Sequence, residues 1–227
     1  MQAVLFDLYD TLVYVDAPVI EQARREQARL AGAPEDAFFA QWRASTPERM
    51  TGVLATLEVQ IEAVLRACSC PPTPALLRRL VAVEEEAWRR AVHLYDDALP
   101  TLEALRRRGY SLGLVSNCSS QAGTAVHRLG LDRWFDAVAL SYQVGVMKPD
   151  PGIFLAACRQ IEVEPRRCVF VADGAFNELD AARQLGMVTV LVEQDRQSKL
   201  YGTSAAWDHR VTALRDVLDL LPRTAGR

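Results

Sequence analysis

The chain has 227 residues, of which 50% are apolar and 24% are charged, and its formal net charge is −3. Such a chain can bury a sizeable core, and it lacks both the polybasic stretches that bind nucleic acids and the apolar run of about 20 residues that spans a membrane. Five irregularly spaced cysteines argue against a disulfide framework. The N-terminus has neither a basic region nor a cleavage site, which argues against a secretory leader. We therefore expect a cytoplasmic protein without nucleic-acid or membrane partners.

The first predicted element is a short buried strand over residues 3–6, followed at once by an acid. The stretch VLFDLYDTLV places two carboxylates, Asp7 and Asp10, among apolar side chains. A buried carboxylate without a counter-charge is costly, so this stretch predicts that a cation or hydrogen-bond donors lie close to it.

Residues 16–93 are predicted to be helical, with no convincing strand. Apolar residues recur there at helical spacing, and the prolines fall between the segments or at their starts, where a helix tolerates them. The helical segments read APVIEQARREQARLAG, EDAFFAQWRA, ERMTGVLATLEVQIEAVLRAC and PALLRRLVAVEEEAWRRAVHL.

From residue 94 onwards, predicted strands alternate with helices, which is typical of a parallel sheet flanked by helices. The N-terminal strand belongs to this sheet, so the helical block interrupts one open α/β domain. We therefore expect a core of residues 1–15 and 94–227 and an inserted helical domain of residues 16–93. The predicted strands cover YSLGLVSN, 137–141, 168–173, 188–192 and a short segment near 209, and the helices cover 101–109, 120–129, about 151–161, 177–186 and 212–221.

Polar residues follow several of these strands, and ligands of open parallel sheets bind at the carboxyl ends of the strands. Asp7, Ser116-Asn117 and Asp173 each end a strand, and Lys148 lies in the loop after another. Taken singly, an acid there can cap a helix, a serine can serve a turn, and a lysine can be solvated. Only two of the 26 basic Lys and Arg residues are lysines, so the presence of one of them in this loop favours a shared site.

Four motifs in this order resemble those of the haloacid dehalogenase superfamily, most of whose members are phosphatases. They read FDLYDTL, LVSN, GVMKPDPGIF and VFVADGAFNELDAARQLGM, and the helical block between the first two resembles the α-helical cap of that superfamily. The resemblance spans essentially the whole chain and implies a Rossmann-like α/β core with an inserted all-α cap domain. It says little about the substrate.

The resemblance also implies a catalytic role for each motif. Asp7 would attack the substrate and form a covalent intermediate that water then cleaves. Ser116, with the backbone amides around Asn117 and Cys118, would hold the phosphoryl oxygens, and Lys148 would offset the negative charge gathered there.

A metal site is implied by the same resemblance. Asp7, Asp173 and the backbone carbonyl of Tyr9 would share a hard cation, which we expect to be Mg²⁺. Glu178 matches the second acid of the last motif and would bind the ion directly or through water.

The first motif departs from the usual phosphatase pattern Asp-x-Asp-x-Thr at the position of the general acid/base. Tyr9 stands there, and a phenol with a pKa of about 10 is a poor base at neutral pH. Asp10 lies one residue later, where a glycine is common. Three interpretations of Asp10 stay open: it serves as acid/base from the shifted position, it stabilises the turn through local backbone contacts, or it holds a cap residue or substrate group.

Three other functions compete with a phosphatase acting on a small phosphorylated metabolite. A tyrosine at this position also resembles the metal-independent 2-haloacid dehalogenases, but these typically lack the acid supplied here by Asp173. Without a clear acid/base, the chain is also compatible with a weakly active, ligand-binding descendant; a phosphomutase faces the same difficulty.

The cap would close over the site and select the substrate, with hinges at 13–18 and 93–99. The simplest expectation for the aromatic residues of the cap is packing, and the alternative is contact with the substrate. The simplest expectation for its arginines is a solvated helix face, and the alternative is that they bind a carboxylate or second phosphate of the substrate. The residues concerned are Phe38, Phe39, Trp42, Trp88, Arg24, Arg25, Arg43 and Arg49. Whether the protein is a monomer or a dimer is left open.

Overall fold

The computed structural model describes residues 1–195 and 204–222. Its strands are β1 (Ala3–Phe6), β2 (Val13–Val15), β3 (Val92–Leu94), β4 (Ser111–Ser116), β5 (Ala137–Leu140), β6 (Cys168–Ala172), β7 (Val188–Val192) and β8 (His209–Val211). Its helices are α1 (Ala17–Ala31), α2 (Glu35–Ala44), α3 (Thr46–Met50), α4 (Leu57–Ala67), α5 (Pro74–Ala91), α6 (Ala98–Arg107), α7 (Gln121–Arg128), α8 (Ser141–Val144), α9 (Pro151–Gln160), α10 (Glu178–Gln184) and α11 (Val217–Leu220).

Six strands form one parallel sheet in the order β5-β4-β1-β6-β7-β8, which confirms the predicted fold class. Strand β1 lies inside the sheet and is fully buried, because helices cover both faces of a parallel sheet. Val4 and Phe6 pack into the hydrophobic core on one face, and Ala3 and Leu5 into the core on the other. This central position brings the residue after β1 to the carboxyl edge of the sheet.

The segment between β2 and β3 contains helices α1 to α5, and its inner residues form an apolar cluster of their own around Phe38, Trp42, Ile61 and Leu80. The third predicted helical segment is broken, however. It separates into α3 and α4 because Gly52 adopts a left-handed conformation (φ 78°) and the side chain of Thr56 caps α4, accepting the N–H of Val59 at 3.3 Å.

The expectation that residues 16–93 contain no strand is wrong at the end of the segment. Strand β3 pairs antiparallel with β2, so that Val13 lies opposite Leu94 and Val15 opposite Val92. Each strand has three residues, which is too short for a period-2 pattern to stand out, and their partners are far apart in the chain. The ribbon joins the two points at which the chain enters and leaves the helical segment.

The C-terminal region differs from its prediction in length. The helix expected over 212–221 is a 3₁₀ turn (Leu214–Asp216) followed by the single-turn helix α11, whereas the short strand expected before it is β8. Part of the predicted loop over 194–208, and the tail after Pro222, lie outside the described residues. Among the described helices, none is both long and apolar enough to cross a bilayer.

Candidate active site

Three carboxylates meet at the carboxyl edge of the sheet. Asp7 directly follows β1, Asp173 directly follows β6, and Glu178 is the first residue of α10. One oxygen from each lies within 4.8 Å of the others. Strands β1 and β6 are paired neighbours, and the amide of Asp7 donates to the carbonyl of Val171 (3.0 Å), so the sheet itself sets this arrangement.

Lys148 is the cation of this cluster. Its ammonium group contacts carboxylate oxygens of both Asp7 and Glu178 and donates to the carbonyl of Val115 at 3.1 Å. The residue is only 1% exposed. Two bonds to Asn117 hold the backbone of Lys148 in place: its amide donates to Asn117 Oδ1 (2.6 Å), and its carbonyl accepts from Asn117 Nδ2 (2.9 Å). The side chain of Asn117 therefore ties the lysine loop to the end of β4.

Burial dominates the electrostatics of these groups. It raises the pKa of Asp7 to about 6, although Lys148 lowers it, and Asp173 raises it further. The pKa of Glu178 is likewise raised by burial, against the opposing effect of Lys148. Burial lowers the pKa of Lys148, but Asp7 and Glu178 outweigh it and the net shift is upward. Three carboxyl groups thus surround one ammonium group, and burial favours the protonated forms of Asp7 and Glu178.

The donor set fits a hard divalent cation. Carboxylate oxygens at this spacing are the ligands that Mg²⁺ prefers, and a further positive charge would relieve their mutual repulsion. Both oxygens of Glu178 are already engaged, one by the amide of Gly174 (3.1 Å) and one by Lys148. Asp7 has one oxygen against Lys148 and the other at 3.5 Å from the hydroxyl of Thr11, and Asp173 accepts the amide of Ala175 on Oδ1 (3.2 Å). The long contact from Thr11 leaves the second oxygen of Asp7 more available than either oxygen of Glu178, so Glu178 suits contact through water.

The end of β4 contributes one polar atom without a hydrogen-bond partner among the described residues. The hydroxyl of Ser116 is fully buried and makes no such bond. Ser116 does not itself line the cavity described below, whereas Asn117 and Cys118 do. The amide of Cys118 donates to Ser141 Oγ (2.9 Å), so the phosphoryl-binding role expected of that amide does not match this arrangement.

The turn after β1 explains why an aspartate can stand where glycine is common. Asp10 has a left-handed backbone (φ 56°), and its amide donates to the carbonyl of Val13 (2.7 Å). Aspartate and asparagine tolerate this region better than most residues. The residue is 9% exposed and lines the cavity. Tyr9 lines it as well, and burial raises the pKa of its phenol well above 10, so it stays protonated at neutral pH.

A cavity of about 320 Å³ lies between the sheet edge and the helical segment. The carboxylates and Lys148 form one wall, and α1, α2, α3 and α5 contribute the other. Of the four arginines considered from the sequence, Arg24, Arg43 and Arg49 line the cavity. Arg25 does not; its side chain is 58% exposed and pairs with Glu35 (3.0 Å).

Sequence reasoning missed a buried carboxylate behind this wall. Glu84 is 0% exposed, accepts the indole N–H of Trp88 (3.0 Å) and lies 3.8 Å from Arg24. One signal was available: Glu84 stands on the apolar stripe of α5, in line with Leu80 and Ala87. An acid on a buried stripe predicts a buried counter-charge nearby.

Comparison with known proteins connects this geometry to enzymes. A family model described as haloacid dehalogenase-like hydrolase matches residues 1–186. The chain is 29% identical to a glyceraldehyde 3-phosphate phosphatase of Methanopyrus kandleri over 99% of both chains, and 26% identical to (S)-2-haloacid dehalogenase 4A of Burkholderia cepacia over 100% of this chain and 97% of the other. In fold it is similar to the crystal structure of a HAD phosphatase from Thermococcus onnurineus, with a TM-score of 0.70, 23% identity and coverage of 99% and 100% of the two chains.

Proposed function

The chain belongs to the haloacid dehalogenase-like hydrolases, and we propose that within this family it is a Mg²⁺-dependent phosphatase of small phosphate monoesters. The observation that carries the proposal is the grouping of Asp7, Asp173 and Glu178 within 4.8 Å. A carbon-centred displacement has no need of a divalent cation, whereas a phosphate ester brings charge that such a cation neutralises. The phosphatase named among the relatives gives independent support.

In the proposed reaction Asp7 is the nucleophile. A carboxylate oxygen of Asp7 forms a bond to phosphorus while the bond from phosphorus to the ester oxygen breaks, and water then cleaves the aspartyl phosphate to release inorganic phosphate. Lys148 holds Asp7 in position and offsets negative charge. We assign the hydroxyl of Ser116 as a donor to a phosphoryl oxygen because it has no hydrogen-bond partner among the described residues; since it lies behind the cavity lining, the phosphoryl group would have to approach closer than the lining atoms do. Asn117 acts by holding the backbone of Lys148.

Mg²⁺ would be held by Asp7, Asp173 and the carbonyl of Tyr9, with Glu178 bound through water, and would supply Lewis-acid stabilisation of the phosphoryl charge. The leaving group needs a proton, and the attacking water must lose one. The raised pKa of Tyr9 makes it unsuitable as a base. We assign this proton transfer to Asp10, whose position in the cavity lining supports the assignment; a purely structural role in the turn, or contact with a substrate group, is the alternative.

Residues 16–93 would act as a cap over this site, with the core formed by residues 1–15 and 94–227. The cavity walls support this division, since one comes from the sheet edge and the other from the helices. The chain crosses between the two parts through 13–18 and 93–99, where hinge motion would admit substrate and then exclude water. The enclosed volume favours a small metabolite. All five cysteines are free thiols, which supports a cytoplasmic location.

A 2-haloacid dehalogenase is the second candidate. Tyr9 at the acid/base position and the similarity to the Burkholderia cepacia enzyme favour it. The two functions differ in their need for metal, which makes them separable in one assay.

The test is hydrolysis of p-nitrophenyl phosphate with and without Mg²⁺, alongside halide release from 2-chloropropionate. We expect phosphate release that EDTA abolishes, that is lost in Asp7→Asn, and that needs a higher Mg²⁺ concentration in Asp173→Asn. Asp219→Asn, which alters an exposed carboxylate outside the cavity lining, is the control. Halide release that is indifferent to EDTA, with no phosphate release, would overturn the proposal in favour of the dehalogenase.

A further inference from the structure

We propose that Arg24 and Arg49, gathered around Trp42, bind a second anionic group of the substrate. The substrate would then be a small phosphate ester that also carries a carboxylate or a second phosphate. This inference rests on the proposed function, because it takes the first anionic group to be the phosphoryl group at Asp7.

The two guanidinium groups lie against the same aromatic ring. Their central carbons are 4.8 Å (Arg24) and 4.7 Å (Arg49) from the centre of the Trp42 ring, which is buried in the helical segment. Stacking on a ring leaves the edge of a guanidinium group, which carries its N–H donors, directed away from the ring. That edge is the part of an arginine that recognises carboxylate and phosphate oxygens in pairs. In Arg49, Nε and one terminal nitrogen already donate to protein oxygens, so its contribution is mainly its charge.

Arg49 is also fixed by hydrogen bonds. Its Nε donates to Ser45 Oγ (3.1 Å), and one terminal nitrogen donates to the carbonyl of Trp42 (3.1 Å) and to Thr46 Oγ1 (3.0 Å). The residue is only 8% exposed although it lines the cavity. A cation held this rigidly loses little conformational entropy when an anion binds, which favours a recognition role.

Arginines outnumber acids among the charged side chains that the helical wall contributes to the cavity lining. Of the charged side chains that α1 to α5 contribute to the lining, three are arginines and one, Glu21, is an acid. Glu21 is half-exposed and lies 3.8 Å from Arg25, an arginine that does not line the cavity. Glu84 lies 3.8 Å from Arg24, but it is fully buried and is not part of the lining. The wall therefore presents net positive charge to the enclosed space.

The opposite wall holds the phosphoryl-reacting groups, so charged groups lie at both ends of the cavity, and apolar side chains such as Ile20, Met50 and Trp88 line the space between them. An ester whose phosphate lies at Asp7 directs its remaining atoms towards the arginines, since a volume of about 320 Å³ is at the small end for ligand pockets. An ester with an uncharged tail gains no Coulomb attraction from the arginines. A second anion gains that attraction and can add a charge-assisted hydrogen bond.

The experiment compares esters that differ in the second anion alone. The values of kcat/KM are measured for 3-phosphoglycerate against glycerol 3-phosphate, and for propane-1,3-diol bisphosphate against its monophosphate, in the wild type, in Arg24→Met and in Arg25→Met. We expect the wild type to favour, in at least one pair, the ester with two anionic groups by roughly 10- to 100-fold, the range of one charge-assisted bond. The pair that shows the preference identifies the anion as carboxylate or phosphate.

Arg24→Met should reduce that preference to about threefold or less, mainly through KM for the ester with two anionic groups, as expected for loss of a binding contact. Arg25→Met removes the neighbouring exposed arginine and should leave the preference intact. Because Arg24→Met removes the stronger of the two arginine interactions of Glu84, the double variant Arg24→Met/Glu84→Gln is measured too, and it should show the same loss of preference. Equal activity of the wild type on both members of each pair, or an equal loss on both members in Arg24→Met, would overturn the inference.

Binding of the same esters to the Asp7→Asn variant, followed by calorimetry, separates the two proposals. If the wild type hydrolyses no phosphate ester but Asp7→Asn binds 3-phosphoglycerate or the bisphosphate at least tenfold more tightly than the counterpart that lacks the second anionic group, the phosphatase proposal fails and the anion site stands. If p-nitrophenyl phosphate is hydrolysed and neither pair is discriminated in binding or turnover, the anion site fails alone.

Discussion

Replacement of Lys148 by methionine tests how the buried charges of the site are balanced. Lys148 is 1% exposed and contacts two carboxylates, Asp7 and Glu178, which are 5% and 1% exposed. Removal of one partner from a buried ion pair costs about 3–5 kcal/mol, because the remaining charge stays buried without compensation. At roughly 2–4 °C per kcal/mol for a chain of this size, Lys148→Met should melt roughly 6–20 °C below the wild type.

The assay is thermal unfolding and urea unfolding in EDTA, both followed by circular dichroism, for Lys148→Met, Glu178→Gln and the double variant. The double variant removes one of the two stranded carboxylates, so it should be more stable than Lys148→Met by at least about 1 kcal/mol, which is a coupling typical of contacting groups. Arg66→Met removes an exposed pair with Glu62 and should cost at most about 1 kcal/mol. If Lys148→Met loses no more than that control, or if Glu178→Gln adds to its loss, the charge balance described here is wrong.

Three further predictions concern the turn, the buried acid and the loop of the helical segment. Asparagine and glycine both suit the left-handed backbone at position 10, so Asp10→Asn and Asp10→Gly should both fold normally. If Asp10 is the acid/base, steady-state kinetics should show kcat lowered about 100-fold or more in both variants. Unchanged kcat in both would assign Asp10 to the turn alone. Burial raises the pKa of Glu84 above 4.5, although Arg24 opposes the shift, so the folded state binds this proton more tightly than the unfolded state. The stability that Glu84 contributes is therefore complete below about pH 4.5 and is lost as pH rises through the folded-state pKa. Urea unfolding between pH 4 and 7 should show the wild type losing stability relative to Glu84→Gln. A stability difference that does not vary with pH would contradict this. A methyl group on Gly52 would meet a backbone carbonyl oxygen of α8 at 2.1 Å, so Gly52→Ala should lower the melting temperature more than Gly32→Ala, which shares the positive φ but meets nothing within 4 Å; equal losses would show that this contact between the helical segment and the core is unimportant.

The strand-end residues could be predicted from the sequence because their positions follow from local pattern. An apolar run that ends in an acid fixes the place of Asp7 at the carboxyl edge, and the alternation of strands and helices brings Asp173 to the same edge. The contacts within the site are long-range and could not be predicted in this way. The bonds between Asn117 and the backbone of Lys148 join residues 31 positions apart, and periodicity carries no information about such pairs.

Helix periodicity distinguishes the two adjacent arginines of α1. Arg24 and Arg25 are adjacent, yet only Arg24 lines the cavity. The buried residues of α1 are Ile20, Ala23, Gln27 and Ala28, and Arg24 falls on this stripe four residues after Ile20, whereas Arg25 lies off it. Helix periodicity therefore separates the two arginines. It does not identify Trp42, on another helix, as the ring against which Arg24 stacks.

The central claim is that Asp7 and Asp173 hold one Mg²⁺ and that Asp7 receives the phosphoryl group. A crystal structure of the protein with Mg²⁺ and beryllium fluoride tests both parts at once. The account predicts a Mg²⁺ ion roughly 2.0–2.1 Å from an oxygen of each aspartate, with beryllium bonded to Asp7. Beryllium fluoride bound elsewhere, or a magnesium ion that contacts neither carboxylate under saturating conditions, would contradict it.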